Sequence, residues 1–167
     1  KKIFFEDTRY YVEDIRKNII NKFGYDKVYK QGLNIKTPIN LNLQKIATQS
    51  LRDGLINYDK RKGWRGPILN KKYSIKWAED LKNLKLEKSI NWQLAIVKKI
   101  KKFSVEIETE NKLKGFIKYE NTTWTKKELN ELFKVGDVIY VKNIDKNNFS
   151  LRQLPEVNGG IVVMDPF

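Results

Sequence analysis

Apolar positions along this chain follow two rhythms. Up to about residue 70 they recur every three or four residues, the spacing of one helix face; from about residue 91 they recur every second residue, the spacing of a strand. Tyr11, Val12, Ile15, Ile19 and Phe23 predict a helix over 8–23, capped by Asp7 or Thr8 and stopped by Gly24. The alternation over 32–37 predicts a strand that Pro38 ends. Asn40 then caps a long helix whose stripe runs Leu43, Ile46, Ala47, Ser50, Leu51, Gly54, Leu55 and Tyr58, with Gly63 closing it. The turn-rich run Gly63-Trp64-Arg65-Gly66-Pro67 ends this first unit. Ser74 is placed to cap a short helix carrying Trp77, Leu81 and Leu84, and the Lys-rich stretch 85–88 reads as a connector.

Five short alternating runs follow. Trp92, Leu94 and Ile96 form the first, Phe103, Val105 and Ile107 the second, and Leu113, Gly115, Ile117 and Tyr119 the third. Val138–Val141 and Phe149–Arg152 are the fourth and fifth. One helix interrupts the series before the fourth run. Thr125 and Glu128 have capping-box spacing, Trp124 and Leu129 sit where a hydrophobic staple would, and Leu129, Leu132 and Phe133 form the apolar face. Five strands with one helix between the third and fourth is the order of an OB-like barrel, so the expected class is α+β, mainly β. Phe116 is the aromatic out of place, on the polar side of its strand.

Charge changes this picture little. The formal net charge is +14, from 34 basic and 20 acidic residues, and it is spread over both halves. Most of the basic residues are Lys, in a chain also rich in Ile and Asn, the mark of A/T-rich codons, so a solvated surface is the plainer reading and a polyanion partner the sharper one. The absence of Cys and His removes disulfides, Cys/His zinc sites and every His-based acid–base scheme. Serine nucleophiles would need Ser-x-x-Lys, and none of Ser50, Ser74, Ser89, Ser104 or Ser150 has it; Lys-Thr-Gly and a phosphate loop are missing as well. The pairs Glu6-Asp7, Glu13-Asp14 and Glu79-Asp80 read as helix surface, and Glu106 and Glu108, opposite the core, as salt-bridge partners for lysines. No active site, metal or cofactor is expected. No apolar run approaches a membrane span, and no signal peptide opens the chain, whose apolar C-terminal run reads as cut from something longer.

OB barrels often bind single-stranded nucleic acid in a basic groove with stacking aromatics, which makes a nucleic-acid-binding module the rival reading. Its material is thin. Tyr119 and Tyr140 fall on core faces and the staple accounts for Trp124, leaving Phe116 with Lys112, Lys114 and Lys118.

Several runs carry a family resemblance. Tyr10–Arg16, residues 32–37, Leu43-Gln44-Lys45-Ile46-Ala47 and Tyr58-Asp59-Lys60-Arg61-Lys62-Gly63-Trp64-Arg65-Gly66-Pro67 resemble the segment joining the two catalytic domains of class A penicillin-binding proteins of the 1A type. Leu151-Arg152-Gln153-Leu154-Pro155-Glu156-Val157 and the residues to Pro166 are similar to the lead into that family's transpeptidase domain. The resemblance implies an OB-like domain, residues 71–150, inserted into a small helix-and-strand linker made of 1–70 and completed by 151–167. It implies a parent on the periplasmic face of the inner membrane, held there by an N-terminal anchor, that polymerises and cross-links peptidoglycan and binds β-lactams. The residues themselves depart from the catalytic patterns of both enzymes, so no catalytic residue carries over and the segment is expected to position its neighbours. Its implied partners are the rest of the same polypeptide and, as docking partners, an activator protein or the glycan; nucleic acid is disfavoured. Trp64 and Arg65, between glycines, are the candidate positioning residues, by stacking and a guanidinium hydrogen bond; Phe116, Lys114 and Lys118 are the candidate outer-face contacts.

Overall fold

The computed structural model describes residues 8–84, 86 and 90–164. It divides into two units, Lys1–Gly54 with Gly159–Phe167, and Leu55–Asn158. Among the described residues no helix is long and apolar enough to cross a membrane.

The first unit is built from helices. α1 (Arg9–Phe23) ends where Gly24 takes φ +80° and donates its N–H to Ile20 O, as the spacing predicts. A second short helix, α2 (Tyr25–Lys30), follows where a loop was expected, and Arg16 of α1 donates to Tyr29 Oη at 3.1 Å. α3 (Leu41–Arg61), which passes into the second unit after Gly54, starts at Asn40, whose Oδ1 accepts the N–H groups of Asn42 and Leu43 at 3.0 and 3.1 Å. Two expectations fail in this unit. Residues 32–37 form no strand, because alternation makes a strand only where a neighbour supplies the ladder, and among the described residues none pairs here. The stripe on α3 does not become a buried face either: Leu43 and Ile46 are exposed, and the helix's one buried residue is Asp59, near its C-terminus. None of the buried hydrophobic residues described belongs to this unit.

The second unit is a barrel. Its strands are β1 (Leu69–Asn70), β2 (Gln93–Ile100), β3 (Ser104–Thr109), β4 (Lys114–Lys118), β5 (Asp137–Asp145) and β6 (Asn148–Arg152). β2, β3 and β4 form an antiparallel meander, β5 pairs with β2 and with β6, and β6 pairs with β4 in parallel. The five strands β2–β6 therefore close on themselves, and the two-residue β1 adds to β5 outside the ring. This is the OB order that the alternating runs predict.

The interior is filled by one face of each strand, with Val97, Val105, Ile107, Ile117, Val141, Phe149 and Leu151 buried together. The helix between β4 and β5, α4 (Leu129–Leu132), adds Leu129 and Leu132 to that core, and Phe133 follows them in. A second core lies against the other face of β2 and β5, where Trp77, Leu81, Leu94, Ile96, Val138 and Tyr140 pack together. Two cores explain why Leu94–Val97 is buried on both faces. The segment carrying Trp77 and Leu81 is a turn followed by a 3₁₀ helix over Glu79–Leu84, tighter than the predicted helix; Tyr140 donates its hydroxyl to Leu84 O at 2.9 Å.

Local details differ from the spacing in ways that have physical causes. The capping box forms three residues later than expected, at Glu128 and Glu131, with Glu128 N–H donating to Glu131 Oε2 at 3.3 Å. Two 3₁₀ turns precede it, Lys126 takes φ +58°, and the helical path cannot begin before that break. Thr125 instead donates its hydroxyl to Thr122 O at 2.7 Å. Tyr119 leaves the β4 strand for a 3₁₀ turn and is exposed, as are Phe103 and Leu113 just outside their strands. Glu108 is buried, not solvent-facing: Tyr73 lies across it and donates its hydroxyl to the carboxylate at 3.1 Å. Glu106 does pair with Lys101, at 2.5 Å.

Closure depends on one residue without a side chain. At Gly115 a Cβ would overlap the Phe149 ring and the Asn147 carbonyl, where β6 comes alongside β4. Gly115→Ala is expected to destabilise the chain by about 1–3 kcal/mol, through overpacking rather than strain in φ. Urea unfolding followed by tryptophan fluorescence measures it; an unchanged midpoint would show that the strands do not approach as described.

Candidate functional site

The site is the neck where the chain passes into the barrel and out of it. α3 supplies Asp59 in its last turn, Gly63 at φ +94° stops the helix, and the chain doubles back through Arg65. After β6, Gln153, Leu154 and Glu156 return to the same place. Asp59 is 2% exposed. One of its oxygens accepts from Arg65 Nη1 at 2.8 Å and from the Glu156 N–H at 3.3 Å; the other accepts from Gln153 Nε2 at 2.8 Å.

Arg65 and Gln153 complete the clasp. Arg65 Nη2 donates to Leu154 O at 2.5 Å and Nε pairs with Glu156 Oε1 at 3.0 Å. The Arg65 backbone N–H donates to Gln153 Oε1 at 2.9 Å, while Gln153 Nε2 also donates to Gly63 O at 3.1 Å. The planar guanidinium can hold a carboxylate on one edge and a carbonyl on another, which an ammonium cannot do in fixed geometry. Burial alone would raise the Asp59 carboxyl, but the hydrogen bonds from Arg65, Gln153 and the Glu156 N–H outweigh it and hold the group below the usual aspartate range.

Beside the clasp two tryptophans meet edge-on. Trp64 and Trp124 have ring centroids 5.9 Å apart at 79°, and both pack against the barrel interior. Lys60 Nζ lies 5.6 Å from the Trp124 ring centroid, and burial together with nearby Arg152 pushes its ammonium below the ordinary lysine range.

The residues singled out from sequence fall into two groups. Trp64 and Arg65 are both at the neck. Lys114, Phe116 and Lys118 alternate along β4, with Phe116 half-buried opposite Glu106. Lys118 pairs with Glu120 at 3.5 Å, and Lys114 is exposed opposite Glu108. Among the described residues no hydrogen bond, ion pair or ring contact joins the two groups. Asp59, Gln153 and Glu156 were not singled out. A signal for Asp59 existed: a carboxylate in the last turn of a helix opposes the helix dipole and needs a cation to hold it. Nothing in the sequence alone indicated that Gln153 would meet it.

Residues 64–157 match the family model of the penicillin-binding protein OB-like domain. Penicillin-binding protein 1A of Rickettsia bellii is 36% identical over 162 residues, covering 94% of this chain and 20% of that protein. The corresponding protein of Pseudomonas aeruginosa is 26% identical over 170 residues, with the same coverage. The crystal structure of penicillin-binding protein 1A from Haemophilus influenzae superposes with a TM-score of 0.64 at 26% identity, over 87% of this chain and 22% of that one. The chain thus spans about a fifth of the length of the curated relatives it matches.

The clasp predicts how stability depends on pH. A carboxyl held below its unfolded pKa stabilises the fold above that pKa, and its contribution disappears as pH falls through the folded value. Asp59→Asn is expected to cost about 1.5–3 kcal/mol at neutral pH, and the gap to the parent sequence should narrow below about pH 4. Urea unfolding at a series of pH values measures both; a gap that does not change with pH would mean that the Asp59 charge does not hold the neck.

Proposed function

The chain belongs to the penicillin-binding protein OB-like domain family, and from that premise we propose that it is the non-catalytic inter-domain region of a bifunctional peptidoglycan synthase. Its role in that reading is mechanical. It sets the spacing and orientation of a glycosyltransferase domain and a transpeptidase domain, and it offers a barrel on which an activator protein or the glycan docks. The parent acts at the periplasmic face of the inner membrane, is anchored by a segment outside this one, and binds β-lactams through its transpeptidase domain.

The observation that carries the reading is the clasp. The residues leading into the barrel and those leading out are hydrogen-bonded to one another, Asp59 to Gln153 and Arg65 to Glu156. A barrel joined through such a neck can sit on a connector as a side branch without pulling its two ends apart. The helical unit supports the same reading from the other side. Its apolar residues, Val12, Phe23, Leu43 and Ile46 among them, are exposed, and such surface is stable when further protein covers it. The sequence adds no Ser-x-x-Lys and no Lys-Thr-Gly, so acylation belongs to residues beyond this segment.

Two measurements test the reading. The chain alone, incubated with labelled penicillin and with lipid II, is expected to show neither acylation nor glycan extension; covalent labelling of any of its serines would overturn the assignment. In the full-length parent, the pair Asp59→Ala and Arg65→Ala is expected to leave penicillin acylation intact while lowering the cross-linked fraction of newly made glycan about threefold or more, because misplacing reacting groups by an ångström is costly. Unchanged cross-linking would remove the positioning role.

A further inference from the structure

The chain leaves the barrel through an exposed Asn-Gly pair. Asn158 is the last residue of the barrel's compact unit, and Gly159 is the first of the residues grouped with the other unit. Both are exposed and lie in irregular backbone. Among the described residues, neither the Asn158 side chain nor the Gly159 N–H has a hydrogen-bond partner. The space around the following Gly160 is open, since a Cβ there would meet nothing within 4 Å. Of all the asparagines in the sequence, Asn158 alone is followed by glycine. Others are already engaged: Asn70 donates to Asp137, Asn121 to Asn148 and Asn143 to Lys146 O. The chain also contains Asp53-Gly54, but that pair lies inside α3, where the helical ladder holds the glycine nitrogen and Asp53 Oδ1 accepts from Gln49 Nε2 at 3.0 Å.

The side-chain carbonyl carbon of an asparagine and the next backbone nitrogen can close a five-membered ring, which makes asparagine chemically labile. A side chain on the following residue hinders the approach and a helix or ladder forbids it; an unpaired glycine removes both obstacles. We propose that Asn158 is a site of spontaneous deamidation and isoaspartate formation, a slow covalent change carried by the barrel's exit link. The Gly159 nitrogen gives up its proton and attacks Cγ of Asn158. The new C–N bond closes a succinimide, the Cγ–Nδ2 bond breaks, and ammonia leaves with the proton. Water then opens the ring. Attack at the main-chain carbonyl gives isoaspartate, whose backbone runs through Cγ and is one methylene longer; attack at Cγ gives aspartate. Either product lowers the formal net charge by one from +14. The reaction needs no co-reactant besides water. Among the described residues Glu156 is the last that the clasp holds, by its N–H to Asp59 and its carboxylate to Arg65. Position 158 lies beyond it, so the added methylene and charge fall outside the clasp and leave the packing of the barrel as it is.

The test keeps the whole folded chain at mildly alkaline pH and physiological temperature for several days, with samples digested by trypsin and read by mass spectrometry against a zero-time control. The peptide that follows Arg152 is expected to gain the mass difference between a carboxamide and a carboxyl, at least about tenfold faster than any peptide carrying another asparagine. Electron-transfer fragmentation, which separates the two isomers, is expected to find isoaspartate as well as aspartate at position 158. Asn158→Gln is expected to stop the change, because its ring would have to be six-membered, and Gly159→Ala to slow it about tenfold. The aged chain is expected to keep the urea midpoint of the fresh one. Conversion no faster than at other asparagines, conversion to aspartate alone, or a rate unmoved by Gly159→Ala would overturn the site. A lowered midpoint in the aged chain, absent from Asn158→Gln aged alongside it, would overturn the placing of the change outside the clasp.

Discussion

The chain segments that enter and leave the barrel are joined through one buried carboxylate. Asp59 is placed at the wrong end of a helix for a negative charge and is almost completely removed from water, and either condition alone would be unfavourable. Both become tolerable because Arg65, Gln153 and a backbone N–H converge on it. The same three partners come from both sides of the barrel, so satisfying the charge and joining the two chain segments are a single event. A hydrophobic pair of similar volume could fill the space, but it would not fix the geometry in the way that a guanidinium bound at three of its nitrogens does.

Two cores then give the barrel its rigidity. The interior core is what any closed sheet must have. The outer core, around Trp77 and Tyr140, ties the segment following the neck onto β2 and β5, so the link is clamped to the barrel wall. The two units differ sharply in this respect: one holds all the buried hydrophobic residues described, the other presents apolar helix faces to solvent.

What could be read from the sequence follows from this difference. The five barrel strands were legible because each buries at least one face, so polar and apolar residues had to alternate along them. Leu94–Val97 hid its second face, since a run buried on both sides looks the same whichever layer covers it. Residues 32–37 alternate without forming a strand because periodicity describes a surface and says nothing about a hydrogen-bonding partner. The cap shift from Thr125 to Glu128 came from the backbone of Lys126, a conformation no side-chain pattern announces. At the neck, Arg65 stood out as half of a Trp-Arg pair between glycines, while Gln153 could be found only in space. The clasp draws the neck residues into the barrel's own compact unit, Leu55–Asn158.

The clasp also orders events in time. Its partners are separated by 94 residues in the chain, and every strand of the barrel lies between them. Bringing such distant positions together from a disordered chain carries a loop-closure cost that a few hydrogen bonds do not offset, whereas a formed barrel has already delivered Gln153 to within reach of Asp59. The knot at the base is therefore tied last, after synthesis has passed residue 153 and the sheet has closed.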